Sequence, residues 1–174
     1  MKTLPLILSL CIPILFGCNR VTLKKEYGEN GILIQETPFV NGFKNGIQRV
    51  YTDKGTLLGE YPYINDTMNG MLKDYFPSGK LKKETQYMKG SPTGTEKDYY
   101  ESGKVKSETI DTGDYEKIAN YSESGKIESL VNIHDSVVIT TKYYESGKVK
   151  LQATEHGDDV VTKEFDENGN EIKQ

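Results

Sequence analysis

The chain has 174 residues and carries 22 Lys and Arg against 26 Asp and Glu, a formal net charge of −4, which argues against a general nucleic-acid binder. It contains no tryptophan, and after residue 18 only 32 of 156 residues are Leu, Ile, Val or Phe, too few to favour a large enzyme core. All twelve tyrosines lie in this part, so the composition favours a thin, tyrosine-rich β-structure.

Residues 1–18 have the features of an export signal. Lys2 precedes an apolar run from Leu4 to Phe16, which is shorter than the roughly 20 residues that span a membrane. The end of this run, Leu15-Phe16-Gly17-Cys18, resembles the lipobox of bacterial lipoproteins. The resemblance implies cleavage before Cys18, a covalent lipid on that cysteine, and anchoring to a bacterial membrane, with Asn19 favouring the outer over the inner membrane.

Two further expectations follow from this signal. Cys11 lies inside the apolar run, so cleavage would leave Cys18 without a partner for a disulfide bond. Residues 19–24 are predicted to form a short polar tether, and residues 25–174 a repeat domain.

A repeat of 24 and then 22 residues fills the rest of the chain. Its marker is a glycine that follows an aromatic residue by four places, as in Tyr99 and Gly103. The marker glycines are Gly31, Gly55, Gly79, Gly103, Gly125, Gly147 and Gly169. An aliphatic residue stands two places after six of them, so each unit predicts a β-hairpin. The glycine is expected to take the left-handed conformation after a type I turn, which makes its role structural.

Strand alternation predicts which side chains are buried. Positions −8, −4, +2 and +6, counted from each glycine, share one parity and are expected to share a buried face. The −8 position holds Leu23, Ile47, Met71, Ile139 and Val161, and the +6 position holds Tyr61 and Val131. Acidic residues at +5, namely Glu36, Glu60, Glu84 and Glu108, have the other parity and are expected to form a solvated ladder on the opposite face.

The string Tyr-Tyr-Glu-Ser-Gly-Lys-Val-Lys, together with Asn-Gly-rich turns, resembles the MORN-variant repeat family, which includes YwqK-type antitoxin-like proteins. The resemblance covers residues 25–172. It implies an all-β fold in which about seven tandem hairpins form one elongated, twisted antiparallel sheet.

Residues suited to catalysis or metal binding are few. His134 and His156 occupy the same phase of neighbouring units, but two strands separate them, about 9.6 Å, so solvated loop positions are favoured over a metal site. We find no nucleophile motif and no phosphate-binding glycine loop. The expectation is a protein that is not an enzyme, with no metal and no cofactor apart from the lipid on Cys18.

A second set of aromatic residues, Phe76, Tyr100 and Tyr144, stands three places before a marker glycine. Alternation predicts that they point to the other face, where they would form a partner-binding surface; the alternative is that they only cover the sheet. We therefore expect a membrane-anchored binding scaffold for a protein or envelope partner, without nucleic acid. The alternative function is an antitoxin or immunity-type protein that neutralises a toxin.

Overall fold

The structure, a computed structural model, describes residues 20–173. Within that range the chain forms sixteen β-strands and no helix, all in one antiparallel sheet. The strands are β1 (Val21–Tyr27), β2 (Leu33–Val40), β3 (Phe43–Lys44), β4 (Gly46–Tyr51), β5 (Leu57–Ile64), β6 (Thr67–Met68), β7 (Gly70–Tyr75), β8 (Leu81–Met88), β9 (Ser91–Tyr99), β10 (Val105–Asp111), β11 (Tyr115–Tyr121), β12 (Ile127–His134), β13 (Val137–Tyr143), β14 (Val149–His156), β15 (Asp159–Phe165) and β16 (Glu171–Ile172).

The order of strands in the sheet follows the order in the chain, from β1 at one edge to β16 at the other. The two-residue strands β3 and β6 pair with β2 and β5 and lie off this path. Each strand therefore pairs with its neighbours in sequence, as a row of consecutive hairpins requires. The predicted all-β repeat fold is confirmed.

The turn after each aromatic residue has the expected geometry. The amide of Gly103 donates to the carbonyl of Tyr100, and the amide of Tyr100 donates to the carbonyl of Lys104, both at 2.8 Å. Gly103 has a φ of 89° and the other six marker glycines have φ between 74° and 91°, a region in which side chains are strained. The first turn at the opposite end of the hairpins uses Asn41 and Gly42, with φ of 54° and 90°, as a type I′ turn requires.

The two extra residues of the 24-residue units form a bulge beside the turns at 41–42, 65–66 and 89–90. Val40 pairs with Phe43, but Glu36 pairs with Arg49, so the second strand holds two residues without a counterpart. The pairing of β12 with β13, in a 22-residue unit, keeps one register throughout. The change in repeat length thus falls in the predicted segment, and it alters a strand rather than the turn.

A one-residue bulge also follows six of the seven marker turns; the last turn, between Phe165 and Glu171, has no register shift. Tyr51 pairs with Leu57, whereas Val50 pairs with Gly59, so Leu58 has no counterpart. A single extra residue breaks the alternation of side chains between the two strands. Parity can therefore be counted along one strand but not across the turn.

This bulge corrects two predictions about the faces. Glu60 pairs with Arg49, which is two residues from Tyr51, so the +5 acids share the face of the aromatic residues instead of the opposite face. Tyr61 pairs with Gln48, three residues from Tyr51, so the +6 residues lie on the other face. The front face is defined here as the face that carries Tyr51, Tyr75 and Tyr99.

The sheet is a single layer, and within residues 20–173 no other element covers either face. Leu72 and Ala119 are the only buried apolar side chains in this range, 9% and 4% exposed. Four of the five −8 residues, predicted to be buried, are exposed: Leu23 by 53%, Ile47 by 42%, Met71 by 41% and Val161 by 61%. Ile139 is half-buried. Stability must therefore come from the hydrogen bonds of the sheet and from contacts between neighbouring strands.

The predicted tether is shorter than expected. Residues 21–24 belong to β1, because they pair with β2 from Val21, opposite Val40, onward. Of the predicted tether, only Asn19, which lies outside the described residues, and Arg20 precede the strand. No helix in residues 20–173 is long and apolar enough to cross a membrane.

Candidate binding surfaces

Tyrosines at the −4 position hold glutamates on the front face through hydrogen bonds. The hydroxyl–carboxylate pairs are Tyr51–Glu36 at 3.0 Å, Tyr75–Glu60 at 3.0 Å and Tyr99–Glu84 at 2.6 Å. Burial and the bond to Glu60 raise the pKa of Tyr75 to about 12, and burial and the bond to Glu84 raise the pKa of Tyr99 to about 12. These hydroxyls therefore remain protonated donors.

The same glutamates belong to a row of charges that crosses the front face from strand to strand, here called the charged row. Its members are Lys25, Glu36, Arg49, Glu60, Lys73, Glu84, Lys97 and Glu108. Arg49 bridges two of them, with Nε 2.9 Å from Glu60 and Nη1 3.4 Å from Glu36. Burial opposes the ionisation of Glu60, but hydrogen bonds from Arg49 and Tyr75 outweigh it and lower the pKa of Glu60. The row is half-buried and neutralised internally, in contrast to the solvated ladder expected from the sequence.

The charged row ends where the repeat shortens. Ala119, Leu130, Thr141 and Gln152 continue its positions across β11 to β14, and Lys163 follows on β15. Tyr143 has the same position in its repeat as Tyr75, but Leu130 takes the place of the glutamate. Among residues 20–173 the Tyr143 hydroxyl has no hydrogen-bond partner. The run of alternating charges is thus confined to β1–β10.

The marker turns are linked into a row along one long side of the sheet, here called the turn row, with turns at residues 76–79, 100–103, 122–125, 144–147 and 166–169. Lysines that follow the turn glycines donate to carbonyls of the next turn. These links are Lys80 to Glu101 at 2.8 Å, Lys104 to Glu123 at 2.8 Å and Lys148 to Asn168 at 3.4 Å. The turns are therefore held in a fixed spacing rather than moving separately.

The predicted binding residues Phe76, Tyr100 and Tyr144 are the first residues of turns in this row and are half-buried. Tyr100 donates its hydroxyl to the carbonyl of Tyr121 at 2.7 Å, and Tyr144 donates to the carbonyl of Phe165 at 2.8 Å. Both rings thus connect one hairpin to the next. Their contact with a partner stays a prediction.

Exposed apolar side chains gather on the front face at the opposite long side, around the turns at 41–42, 65–66 and 89–90. This apolar patch consists of Val21, Leu23, Phe43, Ile47, Ile64, Met71 and Met88. Along their strands these residues stand an even number of positions from a member of the charged row, so they lie on the same face as the row. Phe43 is placed on this face by pairing, because Val21 pairs with Val40, which pairs with Phe43. A single-layer sheet leaves these side chains in contact with water.

The remaining candidate sites show less organisation. Cys18, the predicted lipidation site, lies outside the described residues. His134 is exposed and lies 3.3 Å from Asp135, and within residues 20–173 no group of three or more His, Cys, Asp and Glu could hold a metal ion. An open hollow of about 270 Å³ is lined by Thr85, Glu96 and Thr109 among others, and Glu96 in it already binds Lys83 and Thr85.

Sequence reasoning missed the charged row and the apolar patch. A signal for the row exists: Arg49, Lys73 and Lys97 stand six places before their glycines, as the glutamates stand five places after theirs. Counting parity across the turn put the glutamates and these basic residues on opposite faces, whereas strand pairing puts them on the same face. The patch was missed because its residues were expected to be covered.

Consecutive hairpins with the same turn, several of which also share the tyrosine–glutamate and lysine–carbonyl hydrogen bonds, define a tandem β-hairpin repeat protein. The sequence pattern of the MORN repeat variant matches residues 21–41, 44–65, 68–89, 92–110 and 138–154, more than half of the chain. The chain therefore belongs to the MORN repeat variant family. The hairpin between the last two matched segments has the same turn, with the amide of Gly125 2.8 Å from the carbonyl of Ser122. No curated protein matches the chain.

Proposed function

We propose that this protein is a non-catalytic binding scaffold that a lipid on Cys18 anchors to a bacterial membrane, the outer membrane being favoured, and that its turn row binds a protein or envelope partner. The lipobox-like Leu15-Phe16-Gly17-Cys18 supports the anchor. The binding role has support from the structure of the turn row, described next.

The observation that carries the proposal is the regular, linked spacing of the turns. Successive turns are two strands, or about 10 Å, apart, and lysine and tyrosine bonds hold them together. Each turn exposes similar groups, such as Glu101 with Ser102 and Glu145 with Ser146. Loops held by a rigid scaffold commonly carry binding, and little ordering entropy would be lost when a partner binds this row.

An extended or repetitive partner fits such a row best, because it could contact several turns at once. The antitoxin-like proteins that the sequence resembles make a toxin one such protein partner. An exported, lipid-anchored protein would meet a toxin outside the cytoplasm, as an immunity protein.

The anchor is tested with Cys18→Ser, which should abolish incorporation of a palmitate analogue because the acylated thiol is lost. The labelled product should also partition with membranes in the wild type and not in the variant. Equal labelling of the two proteins would contradict the anchor.

The turn row is tested by photocrosslinking in the native envelope. A crosslinking amino acid in place of Glu145 should capture a partner, whereas the same group in place of His156, exposed at the other end of the same hairpin, should not. Equal capture from both positions, or from neither, would contradict the turn row as the binding site. The size and composition of the captured product would separate a protein partner from an envelope polymer.

A further inference from the structure

We propose that the apolar patch is the surface with which the protein lies on the lipid bilayer that holds its anchor. The proposal rests on the lipid at Cys18 proposed above, and it assigns an orientation: the patch against the bilayer, the turn row away from it.

The first argument is the exposure of the patch. Val21 is 69% exposed, and Phe43, Ile64 and Met88 are 53%, 51% and 54% exposed. The transfer of large apolar side chains out of water is favourable. Such side chains concentrated at one place on a face mark a contact surface. Bilayer acyl chains and the lower headgroup region would receive these side chains without needing a matching shape.

The second argument is the position of the anchor. Arg20 is fixed beside the first Asn-Gly turn, because its amide donates to Asn41 Oδ1 at 3.0 Å and its carbonyl accepts from the Asn41 amide at 2.9 Å. Cys18 is two residues earlier in the chain, so its Cα lies within about 7 Å of the Arg20 Cα even if the chain is fully extended. Val21, a patch residue, directly follows Arg20. A lipid on Cys18 therefore has too little chain to hold the patch far from the bilayer.

The third argument is charge. The turns that border the patch, at 41–42, 65–66 and 89–90, hold one acid, Asp66, and one base, Lys89. Later turns on the same side of the sheet hold Asp114, Asp135 and Asp158. Acidic groups would be repelled by anionic lipid headgroups, so the part of this side nearest the anchor is also the part best suited to a membrane surface.

The absence of tryptophan in the chain allows a direct test with single tryptophans. The full-length acylated protein is reconstituted into phosphatidylcholine vesicles whose acyl chains carry bromine, a short-range quencher. The patch variants are Ile64→Trp and Met88→Trp. The control is Val160→Trp, also exposed, by 60%. Val160 is also close to a turn on the same long side of the sheet, but it lies in β15 at the far end and on the opposite face.

Both patch variants should lose most of their fluorescence in brominated vesicles relative to unbrominated ones, while Val160→Trp should be unchanged. High salt should not reverse the quenching, because the contact is apolar. Equal fluorescence of patch and control variants would overturn the proposal. A blue-shifted patch tryptophan that bromine does not quench would also overturn it, because a second copy or another protein would then cover the patch.

Acylation, measured by mass on the same samples, separates this proposal from the proposed function. Acylated, vesicle-bound protein with unquenched patch tryptophans contradicts the orientation but leaves the anchor intact. Protein that cells do not acylate contradicts both.

Discussion

The hydrogen bond from Tyr75 to Glu60 allows a sharp test of the charged row. Tyr75→Phe keeps the ring and removes only the hydroxyl, which lies 3.0 Å from Glu60 Oε2. A hydrogen bond to a charged acceptor contributes about 1.5–3 kcal/mol when buried. The Glu60 side chain is 22% exposed, which places the expected loss in the lower part of that range, about 1.5–2 kcal/mol.

Tyr143→Phe is the matched control, because Tyr143 has the same position in its repeat but Leu130 stands where a glutamate would accept its hydroxyl. Its hydroxyl has no hydrogen-bond partner within residues 20–173, so the substitution should change the free energy of unfolding by less than about 0.5 kcal/mol. Both variants are measured by urea unfolding followed by circular dichroism, with the slope against urea compared to exclude a change in the denatured state.

A second variant tests whether the charge of the acceptor matters. Charge-assisted hydrogen bonds are about twice as strong as neutral ones, so in a Glu60→Gln background the loss caused by Tyr75→Phe should fall to about half. If Tyr143→Phe costs as much as Tyr75→Phe, or if Glu60→Gln leaves the loss unchanged, the hydroxyl–carboxylate contact does not stabilise the sheet and our account of the charged row is wrong.

Two further predictions concern the turns and alkaline pH. Gly103→Val should lower the urea midpoint far more than Ser102→Ala. No atom lies within 4 Å of the added Cβ, so the cost of about 1–3 kcal/mol is backbone strain at a φ of 89°. Equal midpoints of the two variants would refute that turn geometry. Tyr75 and Tyr99 have folded pKa values of about 12 against an unfolded value of about 10. Between these values the folded state keeps two protons that the unfolded state loses, so stability should fall as the pH rises from about 10 to about 12. Urea midpoints across this range should fall less in the double variant Tyr75→Phe with Tyr99→Phe than in the wild type. An equal fall would refute the raised pKa values of these two tyrosines.

The repeat, the hairpins and the marker turns could be predicted from the sequence, because they depend on local chemistry. Glycine at a position of positive φ, an aromatic residue four places earlier and an aliphatic two places later recur at a fixed spacing, and a change of two residues preserves the facing of a strand. Sequential hairpins then pair with their neighbours in the chain, which determines the order of strands.

The faces of the sheet could not be predicted in the same way. The unpaired residue after six of the seven marker turns, such as Leu58, reverses parity, and nothing in the local sequence shows where a strand leaves a residue without a counterpart. Only the pairing of strands shows that Glu60 lies beside Arg49 and Tyr75, whose hydrogen bonds hold it ionised although it is half-buried.

Burial likewise depends on the tertiary structure. Alternation correctly groups the −8 residues with the aromatic residues along each strand, but it cannot show whether another layer covers them. The sheet remains a single layer, so Leu23, Ile47 and Met71 are exposed. The sequence determined that this chain is a ribbon of β-hairpins with a fixed repeat. The tertiary structure decided which side chains contact one another and which contact solvent, through the register between strands and the lack of a covering layer within residues 20–173. Both features depend on residues that are far apart in the chain.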